Sequence, residues 1–591
     1  MSAMLRLLFF VVSLSPTLLL VTWDGSLSWA LIDGIRLHLT LTPLAGFFLT
    51  LLALAAPLVA LPMLRRPCDW PSLVLYVLLL LGMQLLLLAG DFVSFFVGWE
   101  VMTWSSYLLL LRSSRADMET SQSFILFNLA SAFLLLAGIL VFFSLTGDFA
   151  IRSLAEPSLP QALTLLALFG LAFLIKVGTL PLHIWIPSSY DQAPDAFSAF
   201  LSGSVSKMGV YGLILLPTLF PDALASFAGR FLNGPAFGYL LAWVGVITSV
   251  VATFKAISQE DMKRLLAYSS IAQVGYITTA VGVGSSLAIA GALYLALVHT
   301  LVKVLLFISV AGIVLQTGQR QFKDLGRLIE RMPISFFGVL IGIIGLAGMP
   351  PLPGFAAKYL VFVSLVDARW LLLLAAMILA STAAFIYCYK LIYAPFLGHA
   401  NSPGAKEARE APWPYLVPQV ILMGLLVLFG LFPGLAIDVL IDPVLVGLQM
   451  APIGAESWAK LTTVYGGYDG VVLMLVFGIA FVLVTGLFLL LRGRMRRAGS
   501  PYDLSFAGEV PTADTPLHYG AGMGRELRRI PLVGWILRQG TRGFYLGLAG
   551  QMRAAAALLG NLYVGRPQAW ILIAVVVLAA SLAARAMMGG L

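Results

Sequence analysis

Five ionisable residues stand inside stretches that otherwise read as membrane spans: Glu100, Lys176, Lys207, Lys303 and Lys358. An ionisable group at the bilayer centre costs about 2.5–3.5 kcal/mol on a lenient insertion scale, so five cost on the order of 10 kcal/mol. Such groups persist where they face one another or water inside the protein. Titratable groups strung through a membrane in this way are what a proton path needs. Glu100 and Lys176 form a candidate switch. Burial favours a neutral amine and a nearby carboxylate favours a charged one, so moving the carboxylate would release or capture a proton. A static ion pair that holds helices together is the alternative.

Lys207 follows Ser202, Ser204 and Ser206, small hydroxyl residues that permit close helix packing and hold water. His299 and Lys303 stand four residues apart and share one helix face. Histidine titrates near neutral pH and passes protons at small cost. His183 fits relay and helix capping equally. Lys390 and His399 lie near the end of a predicted span, where topology or snorkelling accounts for them. Tyr268, Ser269, Ser270 and Gln273 fit either water binding or helix packing.

The elements that must position these groups are helices. The chain has 591 residues, 60% hydrophobic and 11% charged, against roughly 25% charged in soluble proteins. The fold class expected is an all-α polytopic membrane protein. About fifteen spans are predicted, at 4–22, 39–64, 72–90, 91–111, 119–145, 161–187, 194–217, 236–256, 265–284, 287–315, 334–366, 370–397, 413–434, 468–492 and 568–588. The first is read as a retained span, because it lacks a small-residue cleavage site.

The net charge of +9 does not point to nucleic acid. Its excess falls in short loops: Arg65-Arg66, Arg112 with Arg115, Lys263-Arg264, Arg320 to Arg331, and Arg492 to Arg497. Fifteen spans put all of these on one side, which the positive-inside rule makes cytoplasmic. The N-terminus is then inside and the C-terminus outside, in a bacterial cytoplasmic membrane.

Two spans are interrupted beside an ionisable residue. Pro181 follows Lys176, and Pro351, Pro353 and Gly354 precede Lys358. Proline frees a carbonyl and bends a helix. The stretch 334–366 reads as one broken helix or two short ones. Paired breaks of this kind predict an inverted-repeat transporter with midplane sites.

The organisation expected is N-terminal helices over 1–90, a first half-channel over 91–256 and a second over 257–434. An additional helix with its preceding loop follows over 435–492. A basic amphipathic lateral segment covers 493–567, lying along an interface, and a terminal helix covers 568–591.

No cofactor is expected. Cys68 and Cys388 are too few and too far apart for an iron–sulfur ligand set. No metal-ligand spacing or P-loop appears. Gly520, Gly522 and Gly524 form a GxGxG run, but no strand precedes it, so it carries little weight as a dinucleotide site.

The ordered set of motifs resembles the antiporter-like membrane subunits of the respiratory complex I superfamily. That superfamily includes NADH–quinone oxidoreductase, Mrp sodium/proton antiporters, and the membrane arms of formate hydrogenlyase and group 4 hydrogenases. The resemblance rests on Gly98-Trp99-Glu100 with Ser105-Ser106-Tyr107, and on Lys176 to Pro187. It continues through Ala193-Pro194, Ser202-Gly203, Lys207 to Gly212, Asp261 to Ser270, His299 to Lys303, and Pro350 to Lys358.

The resemblance implies that Glu100 and Lys176 are the pair of the first half-channel and Lys207 its connecting residue. His299 and Lys303 would belong to the central axis. Lys358 would be the exit-side residue, which is Glu in some branches. It implies partner subunits of a multisubunit complex, with iron–sulfur, hydrogenase-like or quinone-reductase-like chemistry, and protons or sodium as the ion. A proton-translocating subunit of a redox-driven complex is the function expected. The alternatives are a non-conducting membrane anchor and a gradient-driven Mrp-type antiporter subunit. Members usually have two spans before the one following the Asp-Gly pair, here Asp33-Gly34; this chain shows one. Its lateral segment looks shorter than in the distal complex I subunit and contains Pro531.

Overall fold

The structure is a computed structural model. It describes residues 2–22, 25–32, 35–64, 69–152, 158–219, 230–231, 234–398, 402–491 and scattered positions from 522 to 557. The chain divides into two units, residues 1–527 and 528–591. In the second, the described positions are mostly helical. The lateral-segment reading falls largely outside the described residues, and the predicted span at 568–588 and His399 fall entirely outside them.

The first unit opens with α1 (Ser2–Ser13) and α2 (Ser15–Thr22), followed by two antiparallel strands, β1 (Ser26–Ile32) and β2 (Ile35–Thr40). Then come α3 (Pro43–Met63), α4 (Trp70–Leu88), α5 (Phe92–Leu111), α6 (Met118–Thr146), α7 (Leu159–Val177) and α8 (Trp185–Gln192). Next, α9 (Asp195–Phe200) runs through a π-helical turn, Leu201–Val205, into α10 (Ser206–Leu219). The second half comprises α11 (Ala236–Ile257), α12 (Met262–Val283), α13 (Ser286–Thr317), α14 (Pro333–Ala347), α15 (Pro353–Asp367), α16 (Leu371–Ile392) and α17 (Trp413–Leu431). After a short antiparallel pair at Arg230–Phe231 and Gly234–Pro235, a later hairpin, β3 (Lys460–Thr463) and β4 (Gly466–Asp469), leads into α18 (Gly470–Leu491).

Local sequence sets these boundaries. The side chains of Thr42, Asp91, Asp117, Asp261 and Ser285 accept hydrogen bonds from the first-turn N–H groups of α3, α5, α6, α12 and α13. Among the described residues, ten helices are long and apolar enough to cross a membrane. Each coincides with a predicted span. Of the other predictions, α5 and α12 are long but more polar, and 4–22 and 334–366 are each split into two short helices. The second of these settles as α14 and α15, joined by Gly348 to Leu352.

The core is built around α13. It has 32 residues, about 48 Å at 1.5 Å per residue, and its most apolar window is wholly buried. It packs on α9, α12, α14, α15 and α17. A span so enclosed has no lipid-facing side, so its polar residues meet protein.

Candidate functional site

The two interrupted spans break with matching backbones. α7 ends at Gly178 (φ 82°, ψ 46°) and α14 at Gly348 (φ 78°, ψ 48°), both left-handed. Two N–H groups then fold back on one carbonyl: Gly178 and Thr179 on Leu174, and Gly348 and Met349 on Ile344. This closure leaves the last carbonyls of each helix for other donors. The peptide bonds before Pro181 and Pro351 are cis.

Lys358, on the first turns of α15, answers one break. Its Nζ donates to the terminal carbonyls of α14, Leu346 (3.3 Å) and Ala347 (2.7 Å), and to Ser381 Oγ at 3.1 Å. It also lies 4.9 Å from the centre of the Tyr276 ring. A cation at a helix C-terminus is favoured by the helix dipole. Pro353 and Gly354 start α15. The latter has no side chain to strike the Gly345 carbonyl it crosses.

Lys176 lies on the last turn of α7 and is fully buried. Its Nζ donates to Asn128 Oδ1 at 2.9 Å and Thr103 Oγ1 at 3.3 Å, and sits 5.4 Å from the Trp99 ring centre. Glu100, on α5, accepts from Trp104 Nε1 at 3.0 Å; its other oxygen is buried without a hydrogen-bond partner among the described residues. Trp99 and Thr103, which contact the Lys176 amine, flank Glu100 on α5, but neutral residues hold the amine. Asn128 was missed in the sequence reading. Its signal was a single amide in the apolar run of α6.

The remaining groups meet at the centre. Lys207 Nζ donates to the Ser202 carbonyl at 2.7 Å and lies 2.5 Å from His299 Nδ1. The π-helical turn loosens the backbone there. Ser202 Oγ bonds Ser270 Oγ at 2.8 Å, and Ser270 Oγ donates to the Leu266 carbonyl at 2.9 Å. That carbonyl also accepts from Lys303 Nζ at 3.0 Å, which in turn donates to Ser269 Oγ at 2.6 Å. Lys207 and Lys303 are thus neighbours of one polar cluster: Ser202 meets Lys207 with its carbonyl and Ser270 with its hydroxyl, and Ser270 and Lys303 share the Leu266 carbonyl. His299 Nε2 is buried with no partner among the described residues.

His183 lies in the turn after α7, buried, its ring 6.5 Å from that of Tyr268 and its Nδ1 without a described partner.

Lys390 corrects the snorkelling expectation. Its side chain has 0% exposure and its Nζ pairs with Glu260 at 2.9 Å. Asp195 and Asp191 were also missed as site residues. Lys263 Nζ pairs with Asp195 at 3.0 Å, and Arg115 reaches the same oxygen at 3.4 Å. Arg320 bonds Asp191 and, at 2.7 Å, Asp261. Four basic or acidic loop clusters thereby share one end of the bundle.

Residues 89–384 match the family described as NADH:quinone oxidoreductase/Mrp antiporter, TM. The chain is 30% identical over 420 residues to NADH-quinone oxidoreductase subunit N of Desulforudis audaxviator, covering 67% of this chain and 82% of that protein. It is 29% identical over 402 residues to a Na(+)/H(+) antiporter subunit of Alkalihalophilus pseudofirmus, covering 62% of this chain and 48%, about half, of that protein. In three dimensions it is similar to a chain of the membrane-bound sulfane sulfur reductase, an archaeal respiratory membrane complex. There the TM-score is 0.83 and the identity 29%, over 98% of this chain and 96% of the other.

Proposed function

The chain belongs to the NADH:quinone oxidoreductase/Mrp antiporter membrane family, and on that premise we propose that it moves protons for a redox-driven, multisubunit membrane complex. One observation carries the reading. Lys207, Ser202, Ser270, Leu266 and Lys303 form a buried cluster of adjoining polar contacts across three helices, with His299 against its first member. A buried amine held by neutral hydroxyls and carbonyls gives up or takes a proton without breaking an ion pair. Lys176 and Lys358 stand in cradles of the same kind.

In this reading Glu100 and Lys176 form the electrostatic switch of the first half-channel, and Lys207 connects it to the axis. His299 and Lys303 carry the proton onward and Lys358 is the exit-side group. His183 stands beside the first break as an accessory relay. The matched closures at Gly178 and Gly348 support two half-channels related as inverted repeats. The shared end of Arg115, Lys263 and Arg320 supports a single cytoplasmic face. The near-complete overlap with a respiratory-complex chain favours a redox-driven assembly, with iron–sulfur or hydrogenase-like partners.

A gradient-driven antiporter role uses the same residues and is the second reading, favoured by the likeness to the Na(+)/H(+) antiporter of Alkalihalophilus pseudofirmus. Purification from native membranes in mild detergent, followed by mass spectrometry, separates the two. Co-purifying redox subunits are expected. Membrane partners alone would favour the antiporter, and a chain that purifies alone would sink both.

A further inference from the structure

A hairpin that follows the second half of the bundle grips the second break. β3 and β4 pair in a register that sets Leu461 opposite Tyr468, and both side chains are only 1% exposed. Tyr468 Oη lies 2.9 Å from the Pro351 carbonyl, in the break, and 2.9 Å from the Gly430 carbonyl, at the end of α17. Its single proton serves the two acceptors between them. Two glycines make the approach possible. A Cβ on Gly430 would strike the Pro351 oxygen, and one on Gly470, just after β4, would strike the Gly430 oxygen.

The same hairpin holds α15. Tyr359, the residue after Lys358, donates through Oη to the Gly466 carbonyl at 2.8 Å and lies 2.6 Å from Thr463 Oγ1. Between the two grips, the Phe355 ring lies 5.6 Å from that of Tyr468 and 6.4 Å from that of Tyr359. Lys358 lies within this gripped segment and turns its amine to the end of α14, to Ser381 and to the Tyr276 ring. The Cys388 thiol of α16 rests on the Ile343 carbonyl, one turn before that helix end, at 3.7 Å. No acidic side chain contacts the amine among the described residues.

The Leu346 and Ala347 carbonyls that receive the amine belong to a helix end, and their aim depends on the backbone of Gly348 to Leu352. The near end of that turn is closed by the Gly348 and Met349 N–H groups on Ile344. Its far end is fixed from outside, by Tyr468. The first break is held in a comparable way. There the Leu180 N–H, one residue before Pro181, donates to Thr248 Oγ1 of α11 at 3.0 Å. In both halves a hydroxyl from another element steadies the turn.

We propose that Tyr468 is the positioning residue of the Lys358 cradle: by tying Pro351 to the end of α17 it keeps the helix-end carbonyls aimed at the amine. The role rests on the proton-moving reading above. Tyr468 exchanges no proton with the lysine and acts on it through the turn.

The test uses vesicles carrying the whole complex. It reads protons moved per partner turnover, the pH profile of that movement and the amount of assembled complex. Tyr468→Phe removes the hydroxyl and keeps the ring on Phe355. It is expected to lower protons moved per turnover by about threefold to tenfold and to displace the pH profile by about half to one unit, with complex content unchanged. Tyr294→Phe is the matched control. Its hydroxyl donates to the Phe429 carbonyl at 2.7 Å, one residue before Gly430, and makes no hydrogen bond to the break. Both readings should stay unchanged there. Lys358→Ala is run beside them. If Lys358→Ala stops translocation while Tyr468→Phe moves protons normally with an undisplaced profile, the positioning assignment is overturned and the wider reading stands. Equal losses in Tyr468→Phe and Tyr294→Phe, with the profile undisplaced, would mean that the hydroxyl only supports the fold, and the assignment is again overturned. If Lys358→Ala translocates normally, the wider reading fails. Should Tyr468→Phe reduce assembled complex, Tyr359→Phe, which opens the other grip, takes its place: normal translocation there overturns the assignment.

Discussion

At Lys176 the chemistry is set by two neutral acceptors. Three N–H bonds are available on an ammonium, and Asn128 and Thr103 take two of them. A hydrogen bond to a charged group contributes about 1.5–3 kcal/mol, so losing the shorter one biases the amine by roughly tenfold to a hundredfold. Asn128→Leu keeps the volume and removes the acceptor. It is expected to depress proton movement per turnover by about tenfold or more, and Thr103→Val, at the longer contact, by less. Vesicle acidification measured alongside turnover checks both. Equal effects would mean that the geometry around Lys176 does not rank the two partners. Lys358 permits a sharper comparison. A Cβ on Gly348 would come within 2.8 Å of the Lys358 Cδ, whereas one on Gly318, also left-handed at φ 68°, meets nothing within 4 Å. Both substitutions carry the left-handed penalty of about 1–2 kcal/mol. Only Gly348→Ala also displaces the lysine stem. Gly348→Ala is therefore expected to lose translocation and Gly318→Ala to keep it, in complexes of equal yield.

At the level of elements, the sequence was legible where hydropathy and function agree and misleading where they diverge. Ten predicted spans coincide with long apolar helices. The two long helices that fall below that threshold, α5 and α12, carry Glu100 and the Ser269–Gln273 face. Their polarity is the site itself, and α12 tolerates it because it is buried along nearly its whole length. Asn128 was unreadable for the converse reason, since one amide hardly alters a 29-residue apolar helix. The burial of Lys390 needed the fold, because its partner Glu260 is 130 residues away. Two glycines of the GxGxG run, Gly522 and Gly524, also acquire a physical meaning. Gly522 has φ 74°, and its N–H donates to Glu260 at 3.2 Å. A Cβ on Gly524 would stand 2.6 Å from the Ser258 Cα. The glycines let the chain lie against the loop that joins α11 and α12, beside the Lys390–Glu260 pair. Gly524→Ala should lift that contact and speed limited proteolysis near it. Gly478→Ala, where a Cβ meets nothing within 4 Å, is the control and should leave the cleavage rate unchanged.

For the molecule as a whole, a pump requires that its parts move without losing register, and the charged end of the bundle supplies a fixed point. The Asp195–Lys263 pair joins the start of α9, which leads to Lys207, to the start of α12, which holds Lys303. Its side chains are 4% and 2% exposed, and Lys263 Nζ also donates to the Ala193 carbonyl at 2.9 Å. Removing one partner of a buried pair costs about 3–5 kcal/mol, because a charge is left uncompensated, whereas replacing both with apolar residues is often neutral or stabilising. Lys263→Met alone is expected to lower the thermal unfolding midpoint of the detergent-purified complex clearly. The double variant Asp195→Leu with Lys263→Met should recover most of that loss, since Arg115, the other cation on Asp195, has a side chain 43% exposed and is solvated without it. Translocation should divide the two variants differently. If the pair holds α9 and α12 in register, the double variant is stable but moves fewer protons per turnover, and Asp195→Glu restores them in part. A double variant that is both stable and fully active would show that the hydroxyl junction of Ser202 and Ser270 keeps its register without the charges.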